Sequence, residues 1–177
     1  SQIKFMDRAV RFAKRHRALG LGRLGWHSYL QSQMIPFEST EAKIVNVKVA
    51  KFMKEQAYEA SKELAQMFGE PEVLLGYGRR NATLLADAPT KSSAFILGQV
   101  SESNEPSKAN YYIKDLAKIK FTVKNPYLLE VLEERGKNTQ ETWNSILMKG
   151  GSVQHLDCLT EHEKQVFKTF AEISQKE

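Results

Sequence analysis

Apolar positions recur along this chain at helical spacing more often than in alternation. Ile3, Met6, Val10 and Ala13 share one face if residues 3–17 coil, and Lys4, Arg8, Arg11 and Arg15 then fall on another. Trp26 to Met34 also reads as helix, stopped by Pro36. Ser39 or Thr40 can cap a long helix to Phe68, with Gly69 placed for the left-handed exit and Pro71 beyond it. Its apolar positions Ile44, Val45, Val47, Val49, Phe52 and Met53 cannot share one stripe, so it is either packed on several sides or exposes apolar surface.

Strand signals are few. Tyr111-Tyr112-Ile113 and Ile119 to Val123 form two β-rich runs, which predicts a hairpin. Leu84-Leu85-Ala86 reads as a short strand delivering the chain to a helix start at Thr90. Asn125-Pro126 opens a helix that ends near Gly136. Thr139 opens another, carrying Trp143, Ile146 and Leu147 inward and closed by Gly150-Gly151. Thr160 and Glu163 have the spacing of a capping box, with Val166, Phe167, Phe170 and Ile173 on one face beyond it. The expected fold is a helix-rich α/β or α+β arrangement with a few short strands, in one domain spanning residues 1–177.

Composition narrows the class. The chain has 177 residues, 41% hydrophobic and 27% charged, enough for one core of real size. No stretch is long and apolar enough to span a bilayer, so no membrane partner is expected. One cysteine, Cys158, rules out an internal disulfide and fits a reducing, cytoplasmic setting. Residues 1–24 carry Lys4, Arg8, Arg11, Lys14, Arg15, Arg17 and Arg23 against Asp7 alone, more than the whole net charge of +5. A basic helix of this kind can hold nucleic acid or an acidic partner. With no aromatic stacking platform interleaving the charges, a solvated face is the simpler account and nucleic acid is not expected.

Most motifs dissolve on inspection. Gly20-Leu21-Gly22-Arg23-Leu24-Gly25 matches G-x-G-x-x-G, yet a cationic helix precedes it instead of a buried strand. His155, Cys158 and His162 offer two imidazoles and a thiolate but no fourth ligand, so no metal is assigned. None of the four histidines is tied by pattern to Ser92 or Ser93, and Glu133-Glu134 and Glu161/Glu163 read as solvated helix positions. What survives is Pro89-Thr90-Lys91-Ser92-Ser93. It opens a helix with small hydroxyl residues, which suits an anion at the unpaired first-turn amides but also describes an ordinary cap.

The flanks of that segment carry a resemblance. Gly76-Tyr77-Gly78-Arg79-Arg80-Asn81-Ala82-Thr83-Leu84-Leu85-Ala86, Ala88-Pro89-Thr90, Ser92 through Ser101 and Glu105-Pro106 resemble the catalytic large subunit of class I ribonucleotide reductase. So do Arg17 through Gly22, Trp26 through Gln31 and Asn110-Tyr111-Tyr112. The resemblance runs through nearly the whole chain. It corresponds to an internal piece of the second half of that family's ten-stranded barrel, and makes Gly20 to Gly25 a barrel strand and turn.

The resemblance implies that Thr90, Lys91, Ser92 and Ser93 hold the diphosphate of a ribonucleoside diphosphate at a helix N-terminus. The family's radical chemistry needs a thiyl-forming cysteine, a reducing cysteine pair and a tyrosine pair, and Cys158 lies outside all of those motifs. These residues alone are therefore expected to be non-catalytic, with no cofactor. Arg23, Asp87, Lys91 and Asn104 stand where apolar or small neutral residues are expected, and Ser107-Lys108 where an aromatic-apolar pair is common. Burying such charges unpaired would be costly, which predicts that they face solvent. A barrel fragment re-specified to stand alone, by evolution or by engineering, fits this pattern. One chain of a split reductase is the alternative, and a binding protein using the basic helix is another. The apolar helix 40–68 is the surface for a protein partner or self-association.

Overall fold

The computed structural model describes residues 5–116, 119–174 and 176. The chain divides into two compact units: residues 1–23 with 45–88, and residues 24–44 with 89–177. Among the described residues there are seven α-helices and one two-stranded sheet. No helix of the described residues is long and apolar enough to cross a membrane.

The first unit is built on helices α1 (Asp7–His16) and α3 (Thr40–Phe68), although the first turn of α3, through Ile44, belongs to the second unit. α1 fully buries no residue: Met6 before it is 40% exposed and Val10 is half-buried, and Ile3 and Lys4 lie outside the described residues. α3 runs from a Ser39 cap, whose Oγ accepts from the Ala42 amide at 3.0 Å, to Gly69 at φ 76°. Arg80 closes the far end, donating from Nη1 to the carbonyls of Phe68 and Gly69 at 2.7 and 2.6 Å, where the helix dipole favours a cation. Of the two options the sequence leaves for this helix, exposure wins: Ile44 is 50%, Val47 65% and Phe52 63% exposed.

Ser61 of α3 pins the segment that returns to Leu84. Its Oγ accepts from the amides of Arg80 and Asn81 and donates to Asn81 Oδ1 at 2.8 Å, and Asn81 Nδ2 reaches the Arg17 carbonyl at 2.7 Å. This sets Leu19–Leu21 beside Thr83–Ala86 in parallel, with Leu19 N to Thr83 O at 3.0 Å, Leu21 N to Leu84 O at 2.8 Å and Ala86 N to Leu21 O at 3.1 Å. Gly22 is required here, because a Cβ would sit 2.5 Å from the Ala86 carbonyl oxygen. The strand expected at Leu84–Ala86 is thus a single bridge, Leu21↔Leu85.

The second unit carries the main core. Helix α2 (Trp26–Ser32) is shorter than the pattern implies, ending before Met34. Helix α4 (Lys91–Ile96) precedes a hairpin of β1 (Tyr111–Leu116) and β2 (Ile119–Lys124), antiparallel with Tyr111 opposite Lys124; the hairpin's turn lies outside the described residues. Three capped helices follow. In α5 (Pro126–Glu134) the Asn125 side chain accepts from the amides of Tyr127 and Leu128, with proline in the first turn. In α6 (Gln140–Met148) the Thr139 hydroxyl accepts from Thr142. In α7 (Glu161–Val166) Thr160 and Glu163 form the reciprocal capping box.

Leu128, Leu132, Trp143, Ile146, Val153, Val166 and Phe167 are fully buried together, with Tyr111, Leu156 and Leu159 beside them. Each large side chain removed from water contributes about 1.5–3 kcal/mol. Two expectations fail at the margins. Leu147 is 36% exposed although it stands one turn beyond Trp143; the buried residues of α6 are Trp143 and Ile146. α7 stops at Val166, and a second capping box, Thr169 with Glu172, starts a separate 3₁₀ turn that leaves Phe170 46% exposed.

Candidate functional site

The start of α4 differs from an ordinary capped helix. Thr90 occupies the cap position at φ 50°, a left-handed conformation that is unfavourable for a β-branched residue. Holding a residue there costs of the order of 1–3 kcal/mol. Its hydroxyl does not cap the first turn; Oγ1 instead accepts from the Ser103 amide at 2.8 Å. The first-turn residues Lys91, Ser92 and Ser93 are all exposed, so amides, hydroxyls and an ammonium group share one solvent-facing turn. That arrangement can receive an anion.

The loop after α4 is tied to α2. Ser101 and Ser28 each donate a backbone amide to the other's hydroxyl, at 2.8 and 3.1 Å. Gly25 N donates to Ser101 O at 2.8 Å and Trp26 N to Ser103 O at 3.3 Å. Further along, the Ser107 amide donates to His27 Nδ1 at 2.9 Å. That bond makes Nδ1 the acceptor, so the neutral ring carries its proton on Nε2. His27 is fully buried, with its ring edge-on to Phe37. Burial lowers its pKa to about 4, and the nearby Val166 carbonyl offsets this only in part.

A cleft of about 440 Å³ lies among α4, the 99–109 loop, the hairpin and the start of α5. Lys91 lines it, together with Phe95, Ser101, Glu102, Glu105, Lys108, Tyr112 and Asn125; Thr90, Ser92 and Ser93 do not. Burial, with Glu102 close by, pushes the Tyr112 phenol up from its ordinary value. Gln31 and Asn125 of its lining belong to an amide network with the buried Asn110. Asn125 Nδ2 donates to Gln31 Oε1 at 3.0 Å and Asn110 Oδ1 at 2.8 Å, and Asn110 Nδ2 donates to the Gly151 and Phe167 carbonyls at 3.1 and 2.7 Å.

The remaining sequence candidates scatter. His155 Nε2 meets Ser145 Oγ at 3.0 Å, while His162 Nε2 donates to the Met34 carbonyl at 2.9 Å. Among the described residues no group of three His, Cys, Asp or Glu side chains is placed to hold a metal ion. Glu133 and Glu134 are exposed. Glu163 is engaged by Arg135 at 2.6 and 2.8 Å. Burial raises its pKa, but bonds from Thr160 and Arg135 outweigh this and leave it below the usual carboxylate range.

Of the residues expected to face solvent, Asp87, Lys91 and Lys108 do. Arg23, Asn104 and Ser107 are half-buried instead. Arg23 is accommodated because Nη2 donates to Asn46 Oδ1 and its amide to Asp87 Oδ1 at 3.4 Å. Burial lowers the Arg23 pKa and Asp87 partly restores it. Pattern reading missed the Ser28–Ser101 pair and the Asn110–Asn125–Gln31 network. Their only trace in the sequence is that they fall in the strings Trp26–Gln31, Ser92–Ser101 and Asn110–Tyr112.

Comparison with known proteins gives one consistent answer. The family described as "Ribonucleotide reductase, barrel domain" matches residues 3–74 and 71–177. The ribonucleoside-diphosphate reductase large subunit of Invertebrate iridescent virus 3 is 43% identical over 96% of this chain and 28% of its own length. The large subunit of Danio rerio is 33% identical over 92% of the chain and 24% of its own length. Among solved structures, the Actinobacillus ureae class Id ribonucleotide reductase alpha subunit is similar with a TM-score of 0.91 and 57% identity, covering 99% of this chain and 32% of that one. The chain thus spans about a quarter to a third of the length of these relatives.

Proposed function

This chain belongs to the ribonucleotide reductase barrel-domain family, and from that membership we propose that it supplies the part of a large-subunit barrel that holds the diphosphate of a ribonucleoside diphosphate. Thr90, Lys91, Ser92 and Ser93 are the proposed contacts. The observation that carries the reading is the exposed first turn of α4, in which the Thr90 hydroxyl is drawn away to Ser103 and leaves the turn's amides open. A diphosphate would accept from those amides and from the serine hydroxyls, where the helix end adds a partial positive charge. Lys91 adds a mobile cation at the edge of the cleft.

Residues 1–177 by themselves are proposed to bind without reducing. The reaction needs a thiyl-forming cysteine, and Cys158, the one cysteine in the sequence, stands outside the family's cysteine motifs. The chemistry would then come from cysteines carried elsewhere, on further sequence of the same subunit or on a partner chain. Exposed Val47 and Phe52 on α3 favour a section of barrel that is covered in use over a free-standing binder. Within its own unit Arg23 Nη2 donates to Asn46 Oδ1 and the Asp87 carboxylate favours its charge, which weakens the main objection to that. The single cysteine supports a reducing, cytoplasmic setting.

Calorimetric titration with ADP and CDP tests the binding claim. Heat at micromolar to millimolar nucleotide, competed by inorganic pyrophosphate and weakened in Ser92→Ala and Ser93→Ala, is the expected result. No heat at millimolar nucleotide overturns it.

A further inference from the structure

We propose that the cleft among α4, the 99–109 loop, the hairpin and α5 is a binding site for a small neutral aromatic amide, whose carbonyl is met by Ser28, Ser101 and Gln31. Its volume of about 440 Å³ lies in the range of small-molecule pockets, roughly 300–1,000 Å³. The three residues line it while being only 8%, 6% and 2% exposed, so their polar groups are withdrawn from bulk water. The Ser28 and Ser101 hydroxyls each accept from the other's amide, and among the described residues neither has an acceptor for its own proton. Gln31 spends Oε1 on Asn125 and one N–H on the Val166 carbonyl at 3.4 Å, which leaves its second N–H without an acceptor among the described residues. Buried donors in that state are few in folded proteins and call for a partner.

These donors are neighbours. Ser28 and Gln31 stand three residues apart on α2, hence on one face, and Ser101 is bonded directly to Ser28. All three are neutral, so a carbonyl oxygen can accept from them without the desolvation cost that a carboxylate would incur. The charges nearby point the same way. Half-buried Glu102 lines the cleft beside Tyr112, whose phenol is kept protonated by burial and by that carboxylate. Glu102 repels an anion and offers an acceptor to an amide N–H. Lys91 and Lys108 are exposed, where water and salt screen them, and Lys124 Nζ is held over the Trp143 ring at 4.8 Å. Phe95, Tyr112 and Val123 supply the apolar surface for a flat ring. Thr90, Ser92 and Ser93 do not line the cleft, so this site does not depend on the diphosphate reading.

The test is titration of the full chain with benzamide, benzoate and ethylbenzene, followed by NMR amide shifts. Benzamide is expected to bind in the millimolar range, to shift the Ser28, Ser101 and Tyr112 amides, and to bind about ten-fold more tightly than either of the others. Ser28→Ala and Ser101→Ala should each weaken benzamide about ten-fold. Glu102→Gln should narrow the preference for benzamide over benzoate several-fold. The Glu102 side chain makes no hydrogen bond among the described residues, so this variant remains usable if the buried serine changes fail to fold. If ethylbenzene or benzoate binds as tightly as benzamide, the cleft is an apolar hollow or an anion site and the assignment is wrong. If millimolar benzamide moves none of these amides, water satisfies the donors and the assignment falls. If benzamide binds as expected while pyrophosphate does not bind at all, the cleft stands and the diphosphate reading fails.

Discussion

Asn125 is bonded to Asn110 twice, its backbone amide to the Asn110 carbonyl at 2.8 Å and its Nδ2 to the Asn110 side-chain oxygen at 2.8 Å. Asn110 itself is 2% exposed and spends its own amide nitrogen on the carbonyls of Gly151 and Phe167. One side chain thus joins the entry to β1, the cap of α5 and the end of α7. Asn110→Ala strands the Phe167 carbonyl and one N–H of the Asn125 side chain, while the Gly151 carbonyl keeps the residue 110 backbone amide; each group left unsatisfied costs about 1–3 kcal/mol. With partial relaxation the expected loss is ~3 kcal/mol in denaturant unfolding. Asn110→Asp should be at least as harmful at neutral pH, because a carboxylate cannot donate to either carbonyl.

Acid should weaken the fold through His27. The ring is neutral when folded, its pKa lowered to about 4 from an ordinary value near 6.5. Protons therefore bind the unfolded chain first. This contribution is fully present above about pH 6.5, declines as pH falls from there, and is exhausted below about pH 4. It amounts to about 3 kcal/mol across the window. His27→Asn, which keeps an acceptor for the Ser107 amide, should flatten that part of the curve of urea midpoint against pH.

Much of this architecture is legible in the sequence because local chemistry decides it. Ser39 and Gly69 bracket α3, Asn125-Pro126 starts α5, and Thr160 with Glu163 starts α7, all through bonds within a few residues. Where the deciding bond is distant, the reading fails. Thr90 has the identity and place of a cap, but a partner thirteen residues away takes its hydroxyl. Phe170 fits the apolar face of an extended α7, yet the Thr169–Glu172 box competes successfully and turns it outward. The α4 segment was visible as chemistry, while Ser28 and Ser101 carry no signal a spacing rule could detect.

Glu163 does two jobs that two substitutions can separate. It accepts from the Thr160 amide at 2.6 Å to complete the capping box, and pairs with Arg135. Its pKa is lowered in the fold, so its contribution is present above the ordinary carboxylate value and is lost as pH falls through the lower folded one. Arg135 is more than a third exposed, so the ion pair itself is worth little. Glu163→Ala is expected to cost about 1–2 kcal/mol, mostly as the lost cap. Arg135→Ala should cost less than half as much, measured by thermal unfolding of both variants in the same buffer.

Gly151 and Gly136 both end helical segments at positive φ, 89° and 64°, and should respond very differently to alanine. A Cβ on Gly136 meets nothing within 4 Å, so only the left-handed backbone penalty remains, about 1 kcal/mol. A Cβ on Gly151 would lie 2.2 Å from the Ala109 Cβ and 2.6 Å from its Cα. Neither contact can be relieved by rotating a side chain, so the backbone at Ala109–Asn110 must move. That movement pulls on the Asn110 amide, which donates to the Gly151 carbonyl at 3.1 Å, and through it on the side-chain network that Asn110 shares with Asn125. Gly151→Ala is therefore expected to cost at least ~3 kcal/mol, combining overpacking with lost buried bonds. The Ala109→Gly/Gly151→Ala double variant should recover part of that loss by removing the closest clash. If it recovers nothing while Gly136→Ala behaves as expected, the close approach at Ala109 is not what makes Gly151 necessary.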